Sequence, residues 1–93
     1  MGTYTHDPQA KLDYGFDWGD DWLRDGETLV TSTWSIPTGL TKVSDAFEAT
    51  GATVVWITAS DAVLGEDFKI TNHVKSSAGR EDDRSHTIKV RNR

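Results

Sequence analysis

The sequence contains no cysteine, so neither disulfide bonds nor thiolate metal ligands can stabilise the fold. It also lacks any apolar run near the roughly 20 residues that a membrane-spanning helix needs. The N-terminal segment lacks the apolar stretch of a signal peptide. These absences predict a soluble domain that is made in the cytoplasm and has no membrane partner.

Positively charged residues are also few: the sequence has ten Lys and Arg residues and fifteen Asp and Glu residues, which gives a net charge of −5. Affinity for nucleic acid comes mainly from neutralising phosphates, so we expect no nucleic-acid partner. The net charge is −5 over residues 1–30, −4 over 31–68 and +4 over 69–93. The acidic start and the basic end are expected to attract each other within one chain, or else to attract a neighbouring copy head to tail.

Apolar and polar residues alternate in several short segments, as they do in half-buried β-strands. In Thr53–Thr58, Val54 and Trp56 share one face while Val55 and Ile57 share the other. Glycine-containing turns separate such segments, and their spacing of about 8–12 residues predicts a β-sandwich. The expected strands cover about 11–18, 28–36, 40–43, 46–49, 53–58, 67–76 and 83–91.

The same pattern also predicts which residues of one strand share a face, where short helical turns could form and where the folded domain begins and ends. The strand at 28–36 is expected to place Val30, Trp34 and Ile36 on one face. Helical signal is weak and is confined to Asp45–Glu48 and Ser60–Leu64, each about one turn long. We expect a flexible tail over residues 1–7 and one folded domain over residues 8–91.

Aromatic residues are concentrated near the N-terminus, where Tyr14, Phe16 and Trp18 share one strand face with Leu12. Such a row is typical of a core, although exposed tryptophans could instead form a sugar-stacking platform. Trp22 follows in a turn and is expected to be exposed or to cap one end of the sandwich.

The sequence gives little support for a catalytic site or for a metal site. The acidic cluster over residues 13–27 could bind calcium through oxygen ligands, but its spacing does not match an EF-hand loop. His73 is expected to point outward and His86 inward, which argues against a shared metal site with His6. No nucleophile elbow or ordered triad is present. We therefore expect no enzyme activity and no cofactor.

Three groups of residues form the most recognisable motifs of the chain, the densest being an aromatic N-terminal strand and a charged loop. They are Asp7, Pro8, Ala10, Leu12, Asp13, Tyr14, Phe16, Asp17 and Trp18, then Trp22, Leu23, Thr33, Trp34, Pro37, Gly39 and Leu40, and finally Thr71, Asn72, His73, Val74, Ala78, Gly79, Arg80, Asp82, Arg84 and Ser85. Together they resemble a family of small proteins from tailed bacteriophages and prophages, described as phage fiber–tail adaptor or immunoglobulin-like virion proteins. The resemblance extends from about residue 7 to residue 90.

This resemblance implies an immunoglobulin-like β-sandwich of about seven strands that acts as a non-catalytic structural part of the virion. Its partners would be other phage structural proteins, with self-association also possible. Binding is predicted at the Ser76–Arg84 loop, through Arg80, Asp82 and Arg84, and at Trp22, together with an exposed strand edge. The alternatives are a carbohydrate-binding or adhesion module that uses exposed tryptophans, and a small calcium-dependent domain.

Overall fold

The computed structural model describes residues 2–6, 11–59 and 64–91, with side chains described from residue 11 onward. These residues form an all-β fold, which confirms the fold class predicted from the sequence. In chain order the strands are β1 (Gly2–His6), β2 (Lys11–Asp17), β3 (Leu29–Ser35), β4 (Leu40–Phe47), β5 (Ala52–Ala59), β6 (Asp67–Ser76) and β7 (Glu81–Val90).

The strands form two sheets that pack face to face as a β-sandwich. The larger sheet has the order β1-β7-β6-β3, and the smaller sheet has the order β2-β5-β4. Neighbouring strands are antiparallel except for β1 and β7, which run parallel. Two hairpins, β4–β5 and β6–β7, each supply one pair of neighbouring strands, β4–β5 in the smaller sheet and β6–β7 in the larger one.

The alternation predicted for the central strands is confirmed by their burial. In β5, Val55 and Ile57 are fully buried between the sheets, whereas Trp56 faces outward and is 37% exposed. In β6, Ile70 and Val74 are fully buried in the same way. A period of two therefore divides each of these strands into an apolar inner face and an outer face.

The first strand differs from the sequence-based prediction. Residues 1–7 were expected to form a flexible tail, but Gly2–His6 forms β1 and pairs along β7, from His86 to Val90. The pairing is parallel and joins the two ends of the chain, so no local pattern within five residues could indicate it. Positions 1 and 7 lie outside the described residues, and the domain limits of 8–91 stay a prediction.

A single strand replaces the two short ones expected at 40–43 and 46–49. β4 continues through both segments, with a β-bulge at Val43 between Lys42 and Ser44 in its pairing with β5. The helical turn expected over Asp45–Glu48 is wrong, because the ladder continues to Phe47. One extra residue shifts the alternation, so the two halves of the strand look unrelated in the sequence. The other helical candidate lies mostly at 60–63, outside the described residues.

A second bulge explains why Val30 is not in the core. The register between β3 and β6 shifts between Leu29 and Thr31, which leaves Val30 as the extra residue. Leu29 is buried, while Val30 is 48% exposed. The expectation that Val30 shares an inner face with Trp34 is therefore wrong, although Trp34 itself is buried.

The core has two connected parts. The main cluster lies between the centres of the two sheets, and a smaller cluster forms around Trp18, Leu29 and Val74 at one end. Phe16 packs against both clusters, which confirms the core role predicted for the aromatic row. The main cluster contains Tyr14, Trp34, Leu40, Val55, Ile57, Ile70, Ile88 and Val90.

One buried amide, that of Asn72, connects the two sheets at the boundary between these clusters. Its Oδ1 accepts hydrogen bonds from Trp18 Nε1 at 2.8 Å and from Thr53 Oγ1 at 2.9 Å. Its Nδ2 donates to Ser32 Oγ and to the Thr33 carbonyl oxygen, both at 3.0 Å. The fully buried amide thus makes four hydrogen bonds, which offset the cost of removing it from water.

Two buried tryptophans differ in their indole hydrogen bonds, and this difference gives a test. Trp18 Nε1 donates to Asn72, whereas Trp34 Nε1 has no hydrogen-bond partner in the part of the chain that the structure describes. Trp18→Phe and Trp34→Phe remove the same ring atoms, but only the first leaves a buried acceptor with one bond fewer. We expect Trp18→Phe to lower the free energy of unfolding by about 1–2 kcal/mol more than Trp34→Phe. Urea unfolding measures both, and equal losses would contradict the role of the bond.

Candidate functional site

Three loops meet at one end of the sandwich, and they bring together the two motifs that stood out in the sequence. These loops cover residues 18–28, 48–51 and 76–80, and we call this region the aromatic end. Trp18 N donates to the Gly51 carbonyl oxygen at 3.0 Å, which joins the first loop to the second. Ser77 N donates to the Thr28 carbonyl oxygen at 2.8 Å, which joins the third loop to the first.

Glycine allows the first two loops to approach this closely. Gly51 has a φ of 124°, and a Cβ at that position would lie 2.2 Å from Gly19 N. A Cβ on Gly19 would lie 2.3 Å from the Thr50 carbonyl oxygen. Real side chains do not tolerate such distances, so both positions require glycine for the loops to pack backbone against backbone.

Arg80 is held in place by the loop over residues 18–28. Its guanidinium carbon lies 4.4 Å from the centre of the Trp22 ring, as in a cation–π contact. Its Nη2 donates to the Trp22 carbonyl oxygen at 2.7 Å. Nε and Nη2 also donate to the two carboxylate oxygens of Glu27, forming a bidentate pair. The Glu27 side chain is only 4% exposed, so this ion pair is shielded from solvent.

Ser76 completes the site around Glu27. Its hydroxyl donates to Glu27 Oε2 at 2.5 Å and accepts hydrogen bonds from the backbone N–H groups of Ala78 and Arg80. The Arg80 guanidinium, then the Ser76 hydroxyl and the Arg24 N–H, lower the pKa of Glu27 to about 2. One carboxylate therefore organises both the β6–β7 turn and the loop that covers it.

Arg84, in β7, makes contacts of the same kind with Trp18 and Asp21. Its guanidinium carbon lies 4.2 Å from the centre of the Trp18 ring, and its Nη2 donates to Asp21 Oδ1 at 2.6 Å. Trp18 and Trp22 meet edge to face, with ring centroids 5.2 Å apart. The two arginines and the two tryptophans thus form one connected stack.

The residues predicted to bind a partner are therefore brought together, but three of them are engaged within the chain. Trp22 is half-buried against Trp18 and caps the smaller core cluster, one of the two positions expected for it. The side chains of Arg80 and Arg84 remain 30% and 26% exposed. Asp82 is exposed and accepts a hydrogen bond from the Asp83 N–H.

The acidic start and the basic end of the chain do attract each other internally. Glu27–Arg80 and Asp21–Arg84 are ion pairs between these two regions. The sequence analysis placed Glu27 only within the acidic cluster and Ser76 only at the start of the predicted loop, with no contact between them. Their contact follows from the pairing of β3 with β6, which sets Leu29 opposite Ser76, and a separation of 49 residues in the sequence does not indicate it.

The acidic cluster does not form a metal site within the described ranges, where no group of three His, Asp or Glu side chains is placed to hold an ion. Asp17 instead accepts the Gly19 N–H at 3.0 Å, while Asp21 and Glu27 pair with arginines. The described residues also include no helix long and apolar enough to cross a membrane.

His73 and His86 point to opposite faces of the larger sheet, as expected. His86 is buried, stacks on Phe16 with a centroid distance of 3.9 Å, and contacts the Gly15 carbonyl oxygen through Nε2 at 2.9 Å. His73 lies on the outer face between Glu81, 2.9 Å from Nε2, and Asp83, 2.5 Å from Nδ1. These hydrogen bonds raise the pKa of His73 above its usual 6.5.

The tryptophans do not form a sugar-stacking platform. Such a platform needs at least two exposed tryptophan side chains, and of the four tryptophans only Trp56 is exposed. Trp18 and Trp34 are buried, and Trp22 is half-buried beneath Arg80. Trp56 stands alone on the outer face of the smaller sheet, with Lys11 Nζ 5.9 Å from its ring centre.

The two packed sheets and the loops gathered at one end define a small immunoglobulin-like β-sandwich, a class of domain whose loops cluster at the two ends of the sandwich. Residues 6–89 match the Gp77 family model, described as podophage GP4 fiber-tail adaptor protein gp77. The chain belongs to this family, which confirms the resemblance seen in the sequence. It is accordingly a phage tail fiber adaptor with a structural role, a component of the virion, and the family description implies that it is not an enzyme.

Comparison with solved structures supports the sandwich fold. The chain is similar to MfFcnA4, an endo-fucoidan hydrolase from glycoside hydrolase family 107, with a TM-score of 0.68 and 15% identity over 100% of this chain. It spans only 13% of the length of that hydrolase. It is also similar to the PKD domain from KIAA 1837 protein, with a TM-score of 0.62 and 14% identity, covering 99% of this chain and 82% of that one. At these identities the likeness shows the fold alone. No curated protein matches the chain.

Acid titration tests the role of Glu27. The Glu27 carboxyl has a pKa of about 2 in the folded state, against 4.5 as its ordinary value, so its contribution to stability is complete above pH 4.5 and is lost as pH falls toward 2. We expect Glu27→Gln to lower the urea midpoint at pH 7, and we expect the gap from the wild type to close between pH 4.5 and 2. Glu66→Gln, at an exposed site, is the control. A gap that is independent of pH would contradict the assignment.

The raised pKa of His73 predicts a pH dependence of folding stability that is opposite in sign to that of Glu27. The pKa of His73 is raised in the folded state, so its contribution is complete below 6.5 and is lost as pH rises through the folded pKa. The wild type should therefore be more stable than His73→Gln at pH 5.5, and this difference should shrink above pH 7. Lys69→Gln on the same face should show no such dependence in thermal unfolding. If the His73→Gln difference stayed constant across this range, the two carboxylate contacts would carry no charge interaction.

Proposed function

We propose that this adaptor binds other virion proteins through two surfaces, the Ser76–Arg84 turn and the adjoining free edge of β3. The loop predicted over Ser76–Arg84 is shorter in the structure, and by the Ser76–Arg84 turn we mean the last residue of β6, the loop after it and the first four residues of β7. The family match supports a structural role in the tail, and the geometry of the aromatic end supports these two surfaces for the contact. In this role the domain works without catalysis or a cofactor. It is made in the host cytoplasm, where a fold without disulfides is suited to a reducing compartment.

The turn is suited to recognition because it is rigid and still exposed. Its backbone is held by Ser76 and by the Ser77–Thr28 hydrogen bond, while the side chains of Ser77 and Ala78 are exposed. A contact surface that is ordered before binding loses less conformational entropy when a partner arrives. This preorganisation is the observation on which the proposal mainly rests.

The charged residues of the turn have different roles in this proposal. Arg80 and Arg84 are positioning residues whose outer surfaces reach the partner, while their guanidinium groups hold Trp22 and Trp18 in place. Asp82 is exposed and not part of an ion pair among the described residues, so it is available to a basic group on the partner.

The edge of β3 continues the same surface. β3 is the last strand of the larger sheet, and its Thr31, Thr33 and Ser35 side chains are exposed. An unpaired strand edge can accept a strand from another chain. The bulge at Val30 separates this edge from the turn, so pairing would involve only the regular part of the strand from Thr31 onward.

A pull-down with each of the other tail proteins of the same phage tests the proposal. The wild-type domain should retain at least one of them, and Asp82→Arg should weaken that binding about tenfold, the effect of losing roughly 1.4 kcal/mol. Asp13→Arg is a matched control, because it makes the same charge change on the exposed face of the smaller sheet.

Two results would overturn the proposed binding surface. One is that no tail protein is retained by the wild-type domain. The other is that Asp82→Arg and Asp13→Arg bind the partner equally well, which would place the contact away from the turn. Circular dichroism and urea unfolding of each variant establish that the comparison is between folded proteins.

A further inference from the structure

We propose that copies of this chain associate head to tail, with Leu64 of one copy seated in an apolar pocket between β4 and β5 of the next. This contact goes beyond the proposed function, since it uses neither the Ser76–Arg84 turn nor the edge of β3. It rests on a pocket, an exposed apolar side chain, and opposite charge at the two ends of the molecule.

The pocket lies where the β4–β5 hairpin approaches the aromatic end. It has a volume of about 170 Å³, and its lining is mostly apolar. Phe47 forms one wall and is 40% exposed, so its ring is accessible to an apolar side chain from another copy. Glu48 is the one charged residue of the lining, which comprises Ala46, Phe47, Glu48, Ala52, Thr53 and Val54.

Leu64 is the complementary feature. It lies in the turn that precedes β6 and is 43% exposed. The turn is fixed to the end of β7, because Gly65 N donates to the Val90 carbonyl oxygen at 2.8 Å and Val90 N donates to the Glu66 carbonyl oxygen at 3.0 Å. Leu64 is therefore an exposed apolar side chain next to a backbone that these hydrogen bonds fix in place.

The pocket and Leu64 cannot meet within one copy. The pocket borders the hairpin turn at residues 48–51, whereas Leu64 follows β5, which runs away from that turn towards the opposite end. The molecule is 44 Å long and only 20 by 18 Å across. A contact between these two features must therefore join different copies, and it uses a different surface on each.

Charge favours the same arrangement. At the aromatic end, two cations form no ion pair among the described residues, Arg24 and Lys75. They are outnumbered there by the acidic residues that also lack one, which include Asp20, Asp25, Glu48 and Asp82. At the Leu64 end, the cations without an ion pair among the described residues are Lys11, Lys69 and Lys89. Glu66 is the unpaired acidic residue described there. The two ends thus differ in sign, which attracts them when copies align head to tail and makes the attraction weaker in salt.

Such a contact is heterologous, so it propagates until a ring closes or a filament grows. One side chain in a small pocket gives weak affinity on its own. It becomes effective where many copies are held at high local concentration, as in a virion.

Sedimentation velocity of the wild-type protein, up to about 1 mM and at two salt concentrations, is the first test. We expect concentration-dependent association that weakens in high salt. Leu64→Asp removes the apolar side chain, and Ala46→Arg blocks the pocket at an exposed position; each should weaken association about tenfold or more. Val43→Asp is the control, because it makes the same apolar-to-acid change at a residue that is 50% exposed and outside the pocket.

Mixing the two defective variants tests the head-to-tail geometry. Leu64→Asp retains an intact pocket and Ala46→Arg retains an intact Leu64, so an equimolar mixture should form heterodimers and stop at that size. A two-fold symmetric dimer would make the contact twice, so the mixture would recover only half of it and the wild type would not grow beyond a dimer. The proposal is overturned by a wild-type monomer up to about 1 mM, by Val43→Asp behaving like Leu64→Asp, or by the absence of rescue in the mixture.

Discussion

The hydrogen bond from the Trp18 indole to the buried Asn72 amide is the interaction on which the aromatic end depends. Asn72 lies in the larger sheet, whereas Thr53 and the strand that leads to Trp18 belong to the smaller one. A buried amide with unsatisfied groups would be costly, so the network is stable only when all four bonds form together. This requirement fixes how the two sheets align and sets the position of the Trp18 ring.

The rest of the site follows from the position of that ring. Trp18 provides one face for Arg84 and an edge for Trp22, and Trp22 in turn supports Arg80. Glu27 then joins Arg80 to the β6–β7 turn through Ser76. Residues that look like binding groups in the sequence thus serve first to order the loop cluster. The surface left for partners is the exposed outer part of the turn.

The sequence could predict those parts of the fold that follow from local alternation. Tyr14 of the aromatic row is buried as predicted. In β5 the predicted alternation separates the buried Val55 and Ile57 from the exposed Trp56, because one strand face meets the core and the other meets solvent. The bulges at Val30 and Val43 broke this pattern, and each misplaced a residue or divided a strand. Strand β1 could not be predicted, because its backbone bonds come from a parallel partner at the far end of the chain.

The candidate site was predictable only in part, for a similar reason. Loop position and charge pointed to Arg80, Asp82 and Arg84, and the position of Trp22 in a turn pointed to that residue. Whether an arginine faces a partner or a neighbouring loop depends on how the sheets stack, and short-range spacing carries no information about that. The contact between Glu27 and Ser76 was not predicted, because the two residues are separated by 49 residues and each looks ordinary in its own segment.

Hydrogen exchange of the four indole N–H groups, followed by NMR, tests the central role of Trp18 most directly. If the bond to Asn72 holds the two sheets together, the Trp18 Nε1–H should exchange only through global unfolding. It should then be protected as strongly as the amides of Val55 and Ile70, while the Trp56 indole exchanges rapidly. Exchange of the Trp18 indole at a rate similar to that of Trp56 would show that the aromatic end opens independently, which would contradict the structure described here.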